Sequence, residues 1–165
     1  MRVPDKLHFQ LVFRRELPQA VVVREVKGVQ FCVFDSLGAC MANLALLRQA
    51  LGQAGAIKAV LKVLRGRVFY LAHEQGRVLH TGWVTFSFCR FYRVEQGDAV
   101  IGPIWSAEAA RGRGVAVYAT QMILNVLFSK GVRVCFIDTS NGNVPCLKVI
   151  EHAGFGYPVG VFLRD

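Results

Sequence analysis

The amino-acid sequence predicts one α/β domain in which helices cover a mixed β-sheet. Its 165 residues are enough for a single ordinary domain with helices on both faces of a sheet. The hydrophobic share of 53% is high and the charged share of 19% is low, which indicates a large core. Strand-like and helix-like segments follow in the order β-β-β-α-α-β-β-β-α-β-α-β, which is typical of a sheet covered by helices.

The first part of the chain is predicted to contain three strands and two helices. The strands are short runs rich in β-branched or aromatic residues, at residues 7–13, 20–26 and 29–34. Asp35 and Ser36 can cap a helix, and apolar residues at helical spacing predict that helix over residues 37–51. Gly52 and Gly55 mark the end of this helix. A second helix is expected over about residues 56–64.

The middle of the chain predicts a hairpin and a further strand. Residues 67–74 and 77–88 are largely apolar, and Gln75 and Gly76 between them have the composition of a tight turn. After this hairpin, one more strand is expected over residues 99–106.

The last third predicts alternating helices and strands. A helix is expected over residues 115–130, with Gly131 at its C′ position. Residues 132–139 are mostly apolar and suit a strand buried on both faces. A helix beginning near Asn143 and ending at Gly154 comes next, and then a last strand at about residues 155–163.

The charge of the chain bounds its partners. The net charge of +9 and the pI of about 9.8 indicate an anionic partner or a basic surface. The arginines are scattered, without a run of five or six like charges, which disfavours nucleic acid and leaves phosphate-bearing ligands open.

The sequence also indicates where the protein is located and whether it binds a metal. The sequence has no clean apolar stretch of about 18 residues and no apolar core of a secretory signal near its start, so we expect a cytoplasmic protein without a membrane span. The five cysteines form no Cys-x-x-Cys pair, which favours buried free thiols over a zinc site.

The segment at residues 107–114, Ala-Glu-Ala-Ala-Arg-Gly-Arg-Gly, carries the clearest chemistry. Its glycines allow a tight turn in which several N–H groups point into one concavity at the positive end of the next helix, and such a concavity binds phosphate. Arg111 and Arg113 add the fork geometry that suits phosphate oxygens. The segment has neither the Walker nor the dinucleotide glycine spacing, and taken alone it is equally compatible with a turn bearing solvated arginines.

Two segments resemble the GNAT superfamily of acetyl-CoA-dependent N-acetyltransferases. Residues 111–116, Arg-Gly-Arg-Gly-Val-Ala, are similar to its Arg/Gln-x-x-Gly-x-Gly/Ala signature, and residues 143–155 resemble its Asn-x-x-Ser-x-x-x-Tyr-x-Lys-x-Gly-Phe helix. The resemblance covers about residues 56–155. It implies a central mixed, mostly antiparallel sheet flanked by helices on both faces, in one domain over residues 1–165 with extra N-terminal strands within residues 1–35.

The resemblance also implies the cosubstrate and its ligands. Acetyl-CoA would donate an acetyl group to a primary amine by direct attack, without a metal. The residues assigned to the diphosphate are Arg111, Gly112, Arg113, Gly114, Val115 and Ala116, those assigned to the pantetheine arm through their backbone are Ile104, Trp105 and Ser106, and Asn143 is assigned to the same cofactor.

The family's acid and base are not matched in this sequence. Ile150 occupies the position of the tyrosine that protonates the leaving thiolate, and Cys146 and His152 replace the family's serine and lysine. The strand at residues 99–106 lacks the carboxylate that often serves as the base. The candidates that remain are Asp98 and His80, with Glu95, His73 or a chain of waters as alternatives.

Family members usually have two strands after the position of Gly154, whereas this sequence has room for one. We expect a strand within residues 7–26, or a partner subunit in a homodimer, to cover the edge of the strand at 132–139, because an open apolar edge invites aggregation.

The acceptor is expected to be a small-molecule amine. The basic composition favours an anionic one, such as an amino sugar on a nucleotide, with an amino acid, a small amine or a protein N-terminus as alternatives. Two other classes stay open: a catalytically degenerate module that binds acyl-CoA or an acidic partner, and, less favoured, a nucleic-acid-binding protein.

Overall fold

The computed structural model describes residues 9–163. In that part of the chain there are seven strands: β1 (Phe9–Glu16), β2 (Gln30–Phe34), β3 (Val68–Glu74), β4 (Arg77–Phe86), β5 (Ala99–Ser106), β6 (Val134–Ser140) and β7 (Pro158–Leu163). The helices are α1 (Leu37–Ala42), α2 (Leu44–Leu64), α3 (Val115–Ser129) and α4 (Val144–His152), with a 3-10 turn at Glu108–Ala110. The predicted fold class, a mixed and mainly antiparallel sheet with helices on both faces, is confirmed.

The strands form one sheet in the order β2-β3-β4-β5-β6-β1-β7, in which β5 and β6 run parallel and the other neighbours run antiparallel. Helices α3 and α4 cover the face that carries Tyr70, Ile101 and Ile137, and α1 and α2 cover the face that carries Phe69 and Leu71. The core is divided between the two faces because successive residues of a strand point to opposite faces of the sheet. A third and smaller cluster contains Val12, Val100 and Phe136.

The N-terminal strand fills the gap that the resemblance left open. β1 pairs antiparallel with β6, from Gln10 opposite Ser140 to Glu16 opposite Val134, and its other edge pairs with β7. The hypothesis that a strand within residues 7–26 covers the strand at 132–139 is therefore confirmed. Residues 7 and 8 of that predicted strand lie outside the described part.

The predicted strand at residues 20–26 is wrong, because this segment lies across α3 instead of joining the sheet. The Asn125 side chain accepts a hydrogen bond from the Val21 N–H at 2.6 Å and donates one to the Val21 carbonyl at 2.8 Å. The Gln121 side chain accepts one from the Arg24 N–H at 2.8 Å. Two helix side chains thus satisfy backbone groups that a neighbouring strand would otherwise satisfy.

The predicted helix over residues 37–51 is divided. Ser36 caps α1 as predicted, its hydroxyl accepting the Ala39 N–H at 3.2 Å, but α1 ends at Ala42 and α2 begins after Asn43. Gly52 has a φ of 73° and kinks α2, whereas the second predicted helix is simply the continuation of α2 beyond that kink. The remaining elements begin and end within a few residues of their predicted bounds.

Candidate active site

The parallel strands β5 and β6 open into a cavity. They pair from Ala99 opposite Cys135 to Ile101 opposite Ile137 and then separate, β5 following β4 and β6 following β1. A cavity of about 520 Å³ lies where they part. It is at the carboxyl ends of two parallel strands that lead into α3 and α4, which is where open α/β sheets bind ligands.

The lining of the cavity is mixed in chemistry. Its walls come from β1, β4, β5 and β6, the residue before β3, the loop after β4 and the start of α4. They comprise Gln10, Arg67, Thr85, Phe88, Cys89, Arg90, Phe91, Val100, Ile101, Gly102, Pro103, Ile104, Asp138, Thr139, Ser140, Asn143 and Cys146. The charged residues among them are Asp138, Arg67 and Arg90. The cavity can therefore hold an ammonium group and an anionic group of one ligand.

The glycine segment forms a turn directly before α3. Gly112 and Gly114 have φ values of 71° and 76°, a left-handed conformation that other residues rarely adopt. Gly114 is the N-cap of α3, and within the described residues no side chain caps this helix end. The N–H groups of the first turn, including those of Val115 and Ala116, therefore point toward an anion site at the positive end of the helix.

The two arginines of this turn differ in their surroundings. The Arg113 guanidinium forms hydrogen bonds of 2.7 and 3.2 Å with both carboxylate oxygens of Glu74, at the end of the β3–β4 hairpin. This pairing lowers the pKa of the Glu74 carboxyl. The Arg113 side chain thus ties the turn to the hairpin, and the exposed Arg111 side chain is the one that faces solvent beside it.

Of the other predicted cofactor residues, two line the cavity and two do not. Ile104 and Asn143 line the cavity, and the Asn143 side chain caps α4 by accepting the Cys146 N–H at 3.3 Å. The Ser106 hydroxyl is hydrogen-bonded to His80 Nδ1 at 2.8 Å. Trp105, on the opposite face of β5, is 56% exposed.

The two predicted catalytic residues, Asp98 and His80, do not line the cavity. The Asp98 carboxylate accepts the Glu95 N–H at 3.3 Å within the turn before β5, at the end of that strand remote from the glycine turn. His80 is fully buried, and burial lowers its pKa to about 4, so its imidazole is neutral. Neither group meets a ligand in the cavity.

The structure brings forward a carboxylate that sequence reasoning missed. Asp138 lines the cavity and accepts a hydrogen bond from the Tyr92 hydroxyl at 3.0 Å. Burial and the neighbouring Asp138 both raise the pKa of Tyr92, which keeps this phenol a donor. The sequence did carry a signal for Asp138, because it is the one acidic residue in the mostly apolar strand predicted over residues 132–139.

No tyrosine stands at the family's acid position. Ile150 is fully buried and has no proton to donate. Cys146, one turn earlier in α4, lines the cavity, and burial raises the pKa of its thiol. The thiol therefore stays protonated at neutral pH, which excludes a thiolate nucleophile.

A splayed parallel strand pair, an uncapped helix start and a mixed cavity define an acyltransferase-like α/β domain. The profile of the acetyltransferase (GNAT) family matches residues 46–155. The chain belongs to the GNAT family of acetyltransferases, whose acyl donor is acetyl-CoA.

Solved structures share this fold. A GCN5-related N-acetyltransferase from Sphaerobacter thermophilus aligns over 96% of this chain and 49% of its own length, with a TM-score of 0.63 and 17% identity. The chain thus spans about half the length of that protein. AAC(6')-Iy, in complex with the bisubstrate analog CoA-S-monomethyl-acetylneamine, aligns over 83% of this chain and 97% of its own, with a TM-score of 0.62 and 16% identity.

A third structure is the aminoglycoside acetyltransferase meta-AAC0020 from an uncultured soil metagenomic sample, in complex with trehalose. It aligns over 84% of this chain and 95% of its own, with a TM-score of 0.64 and 10% identity. Curated protein sequences give no significant match. At these low identities, the TM-scores show a common fold.

Two further findings concern residues 9–163. None of the helices there is long and apolar enough to cross a membrane. The same residues contain no group of three or more His, Cys, Asp or Glu side chains arranged to hold a metal ion.

Proposed function

We propose that the protein is an acetyl-CoA-dependent N-acetyltransferase that acetylates the primary amine of an acceptor bearing an anionic group. The observation that carries the proposal is the cavity between β5 and β6, which is lined by Asp138, Arg67 and Arg90 and by Ile104 of the strand that leads to the uncapped start of α3. The donor side of this cavity is defined as residues 104–116 and Asn143, and its acceptor side as Arg67, Arg90 and Asp138.

The donor side suits acetyl-CoA through its backbone. The first-turn N–H groups of α3 would bind the diphosphate, and the part of β5 that has left β6 offers free backbone groups to the amides of the pantetheine arm. The thioester would then reach the point where the strands part. Backbone N–H groups near its carbonyl would stabilise the oxyanion that develops on attack.

The acceptor side supports direct transfer without an enzyme-bound intermediate. Asp138 would bind the acceptor ammonium and take up one of its protons, and Tyr92 would hold the carboxylate in place. The amine nitrogen attacks the thioester carbonyl carbon and the new C–N bond forms. The nitrogen then loses its second proton to solvent as the C–S bond breaks. The CoA thiolate leaves and takes a proton from solvent, while positioning supplies much of the rate.

The charges favour an anionic acceptor over a polycationic one. Arg67 and Arg90 would attract a phosphate or carboxylate, and the net charge of +9 would attract an anion from a distance. An amino sugar carried on a nucleotide fits both requirements, and amino acids fit them in part. An aminoglycoside, which carries several positive charges, would be repelled by the same groups.

The first test is calorimetric titration with acetyl-CoA and CoA of the native protein and of Gly114→Trp. We expect micromolar binding that the variant loses, because the indole would occupy the space before α3. Gly131→Trp is the matched control, since Gly131 also has a positive φ and lies at the other end of the same helix. A folded native protein that binds neither ligand would refute the proposal.

A second test is an amine screen with acetyl-CoA, measured as release of free CoA thiol. Nucleotide amino sugars and amino acids should turn over, and aminoglycosides should not. Turnover of aminoglycosides alone would remove the anionic-acceptor part of the proposal.

The buried Ile150 at the family's acid position favours one alternative, a module that binds acetyl-CoA without turnover. Binding in the calorimeter together with inactivity toward every amine would support it. A cytoplasmic location belongs to the main proposal and agrees with the five free cysteines, because cytosolic thiols are kept reduced. A homodimer stays a prediction.

A further inference from the structure

Two exposed aromatic rings line the cavity beside Arg90. In residues 9–163 the exposed aromatic side chains are Phe88, Phe91, Trp105 and Tyr157, and the first two are among the residues that line the cavity. Phe88 is 61% exposed. Because a phenyl ring in water lacks the stabilisation that burial provides, two such rings in one cavity wall indicate a ligand with an apolar group that covers them.

The loop that carries both rings, residues 87–98, is fixed at its base. The Ser87 N–H donates to the Asp98 carbonyl at 2.8 Å, and the Ser87 hydroxyl accepts the Gly97 N–H at 2.9 Å. Ser87 has a φ of 56°, in the left-handed region that residues other than glycine rarely adopt. These contacts hold the chain in that conformation where it leaves β4, so the exposed Phe88 that follows is presented from a braced turn.

The middle of the loop is held on the sheet by aromatic packing. The Phe91 ring is stacked on Phe162 of β7, with ring centroids 5.0 Å apart and an interplanar angle of 9°. Tyr92 packs against Phe136 of β6, and its hydroxyl donates to the Asp138 carboxylate at 3.0 Å. The loop is therefore tied to the strand that carries Asp138, which fixes the exposed rings relative to this carboxylate.

The position of the loop assigns its rings to the acceptor and not to the donor. β4 and β5 run antiparallel, so that Phe86 at the end of β4 is opposite Ala99, whereas His80 is opposite Ser106. Ser106 is the end of β5 that leads to the glycine turn. The loop after β4 therefore lies at the other end of β5, away from the proposed site of the donor diphosphate.

Arg90 places a positive charge next to the rings. Its guanidinium carbon lies over the Phe91 ring, 5.7 Å from the centroid, and the residue itself lines the cavity. A guanidinium group binds carboxylate or phosphate oxygens through its N–H groups and stacks on flat rings through its faces. A ligand that carries an anionic group close to a planar ring matches both properties.

We propose that Phe88 and Phe91 bind an aromatic ring of the acceptor, so that the substrate is a primary amine that carries a planar aromatic ring as well as an anionic group. This inference rests on the proposed function, since it specifies the acceptor of the same site. The ring has two chemical sources, the nucleobase of a nucleotide-linked amino sugar and the side chain of an aromatic amino acid.

The test compares two pairs of amines that differ in the ring, with turnover measured as release of free CoA thiol. The nucleotide pair is uridine diphosphate glucosamine and glucosamine 1-phosphate, and the amino-acid pair is L-phenylalanine and L-alanine. In one pair we expect kcat/KM for the member with the ring to exceed that of the other by about tenfold, the scale of one ring stacked on an aromatic side chain. The pair that shows the preference identifies the source of the ring.

Substitutions at Phe88 show whether this residue causes the preference. Phe88→Leu keeps apolar bulk without the ring, and should lower kcat/KM about tenfold for the preferred amine while leaving its ring-less partner within about twofold. Phe88→Trp keeps a ring for stacking and should retain the preference. Tyr157→Leu is the matched control, because Tyr157 is an exposed aromatic residue outside the cavity. The Kd for CoA should be the same in all three variants.

The outcomes separate this inference from the proposed function. Equal kcat/KM within both pairs would overturn the inference and leave the proposed function standing. A preference that survives in Phe88→Leu, or a fall of the same size for both members of a pair, would overturn it as well, because Phe88 would then not bind the ring. Inactivity toward all four amines would also overturn it, and the proposed function fails with it only if the whole amine screen is negative.

Discussion

The donor side and the acceptor side of the cavity are built in different ways. Most of the donor side is one continuous segment, residues 104–116, and its proposed ligands are backbone N–H and C=O groups. The acceptor side joins Arg67, Arg90 and Asp138, which come from three separate places in the chain and act through side chains. Backbone sites leave a local signature of glycines, whereas side-chain sites depend on how the topology brings distant residues together.

The largest expected effect separates the acceptor side from the donor side. Asp138→Asn should lower kcat/KM for the amine by about 10²–10³-fold, the range for loss of a general base, because the amide cannot take up the proton. The Kd for CoA should not change, because Asp138 is not on the donor side. Steady-state kinetics and calorimetry measure the two quantities.

The same substitution at Asp98 tests the position favoured by sequence alone. Its carboxylate accepts a hydrogen bond inside its own turn, so Asp98→Asn should change kcat/KM by less than about threefold, the scale of one exposed hydrogen bond. A larger loss in Asp98→Asn than in Asp138→Asn would reverse our assignment.

The next effect concerns His80, which is hydrogen-bonded to Ser106 of the donor side, and is one of stability. His80 is neutral in the folded protein, with a pKa of about 4 against 6.5 when unfolded, so the unfolded chain binds more protons between these pH values. The free energy of unfolding should therefore be highest above pH 6.5 and fall by about 3 kcal/mol as the pH drops toward 4. Urea titrations at several pH values measure this slope.

His80→Asn supplies the comparison for that slope. The variant has no imidazole at this position, so its stability should depend less on pH between 6.5 and 4, whatever its stability at neutral pH. An unchanged slope would mean that other groups account for the acid sensitivity.

The smallest effect returns to the acceptor side. Arg90→Ala should raise KM about tenfold for an anionic amine, the cost of one charge-assisted hydrogen bond, and leave KM unchanged for a neutral one. Arg93→Ala is the matched control, because Arg93 belongs to the same loop, is exposed, and pairs with Glu95. Equal effects of the two substitutions would reduce the role of Arg90 to general surface charge.

Most of the fold was predictable because its signals are local. The turn at Gln75 and Gly76 and the helix ends at Gly114 and Gly131 follow from the backbone freedom of glycine. The failure at residues 20–26 has a non-local cause, since the hydrogen bonds of Val21 come from Asn125, which is 104 positions away. Strand propensity alone cannot anticipate such a partner.

The candidate site likewise contains residues that local sequence signals predict and residues that only the folded chain brings in. The glycine turn, Asn143 and β5 could be found from spacing, and of the predicted cofactor residues Ile104 and Asn143 line the cavity. The partner of Arg113 could not, because Glu74 is 39 positions away and meets it across the hairpin. Asp138 could not be preferred to Asp98 either, since only the separation of β5 and β6 decides which carboxylate faces the cavity.

The insertion of β1 between β6 and β7 bears on how the chain reaches its native state. Gln10 pairs with Ser140, so β1 has to wait for a partner that is made much later in synthesis. Such pairings have high contact order and form slowly. β7 in turn contacts the sheet through β1. Until β1 pairs with β6, the strand that carries Asp138 lacks its antiparallel neighbour and β7 has no strand to pair with.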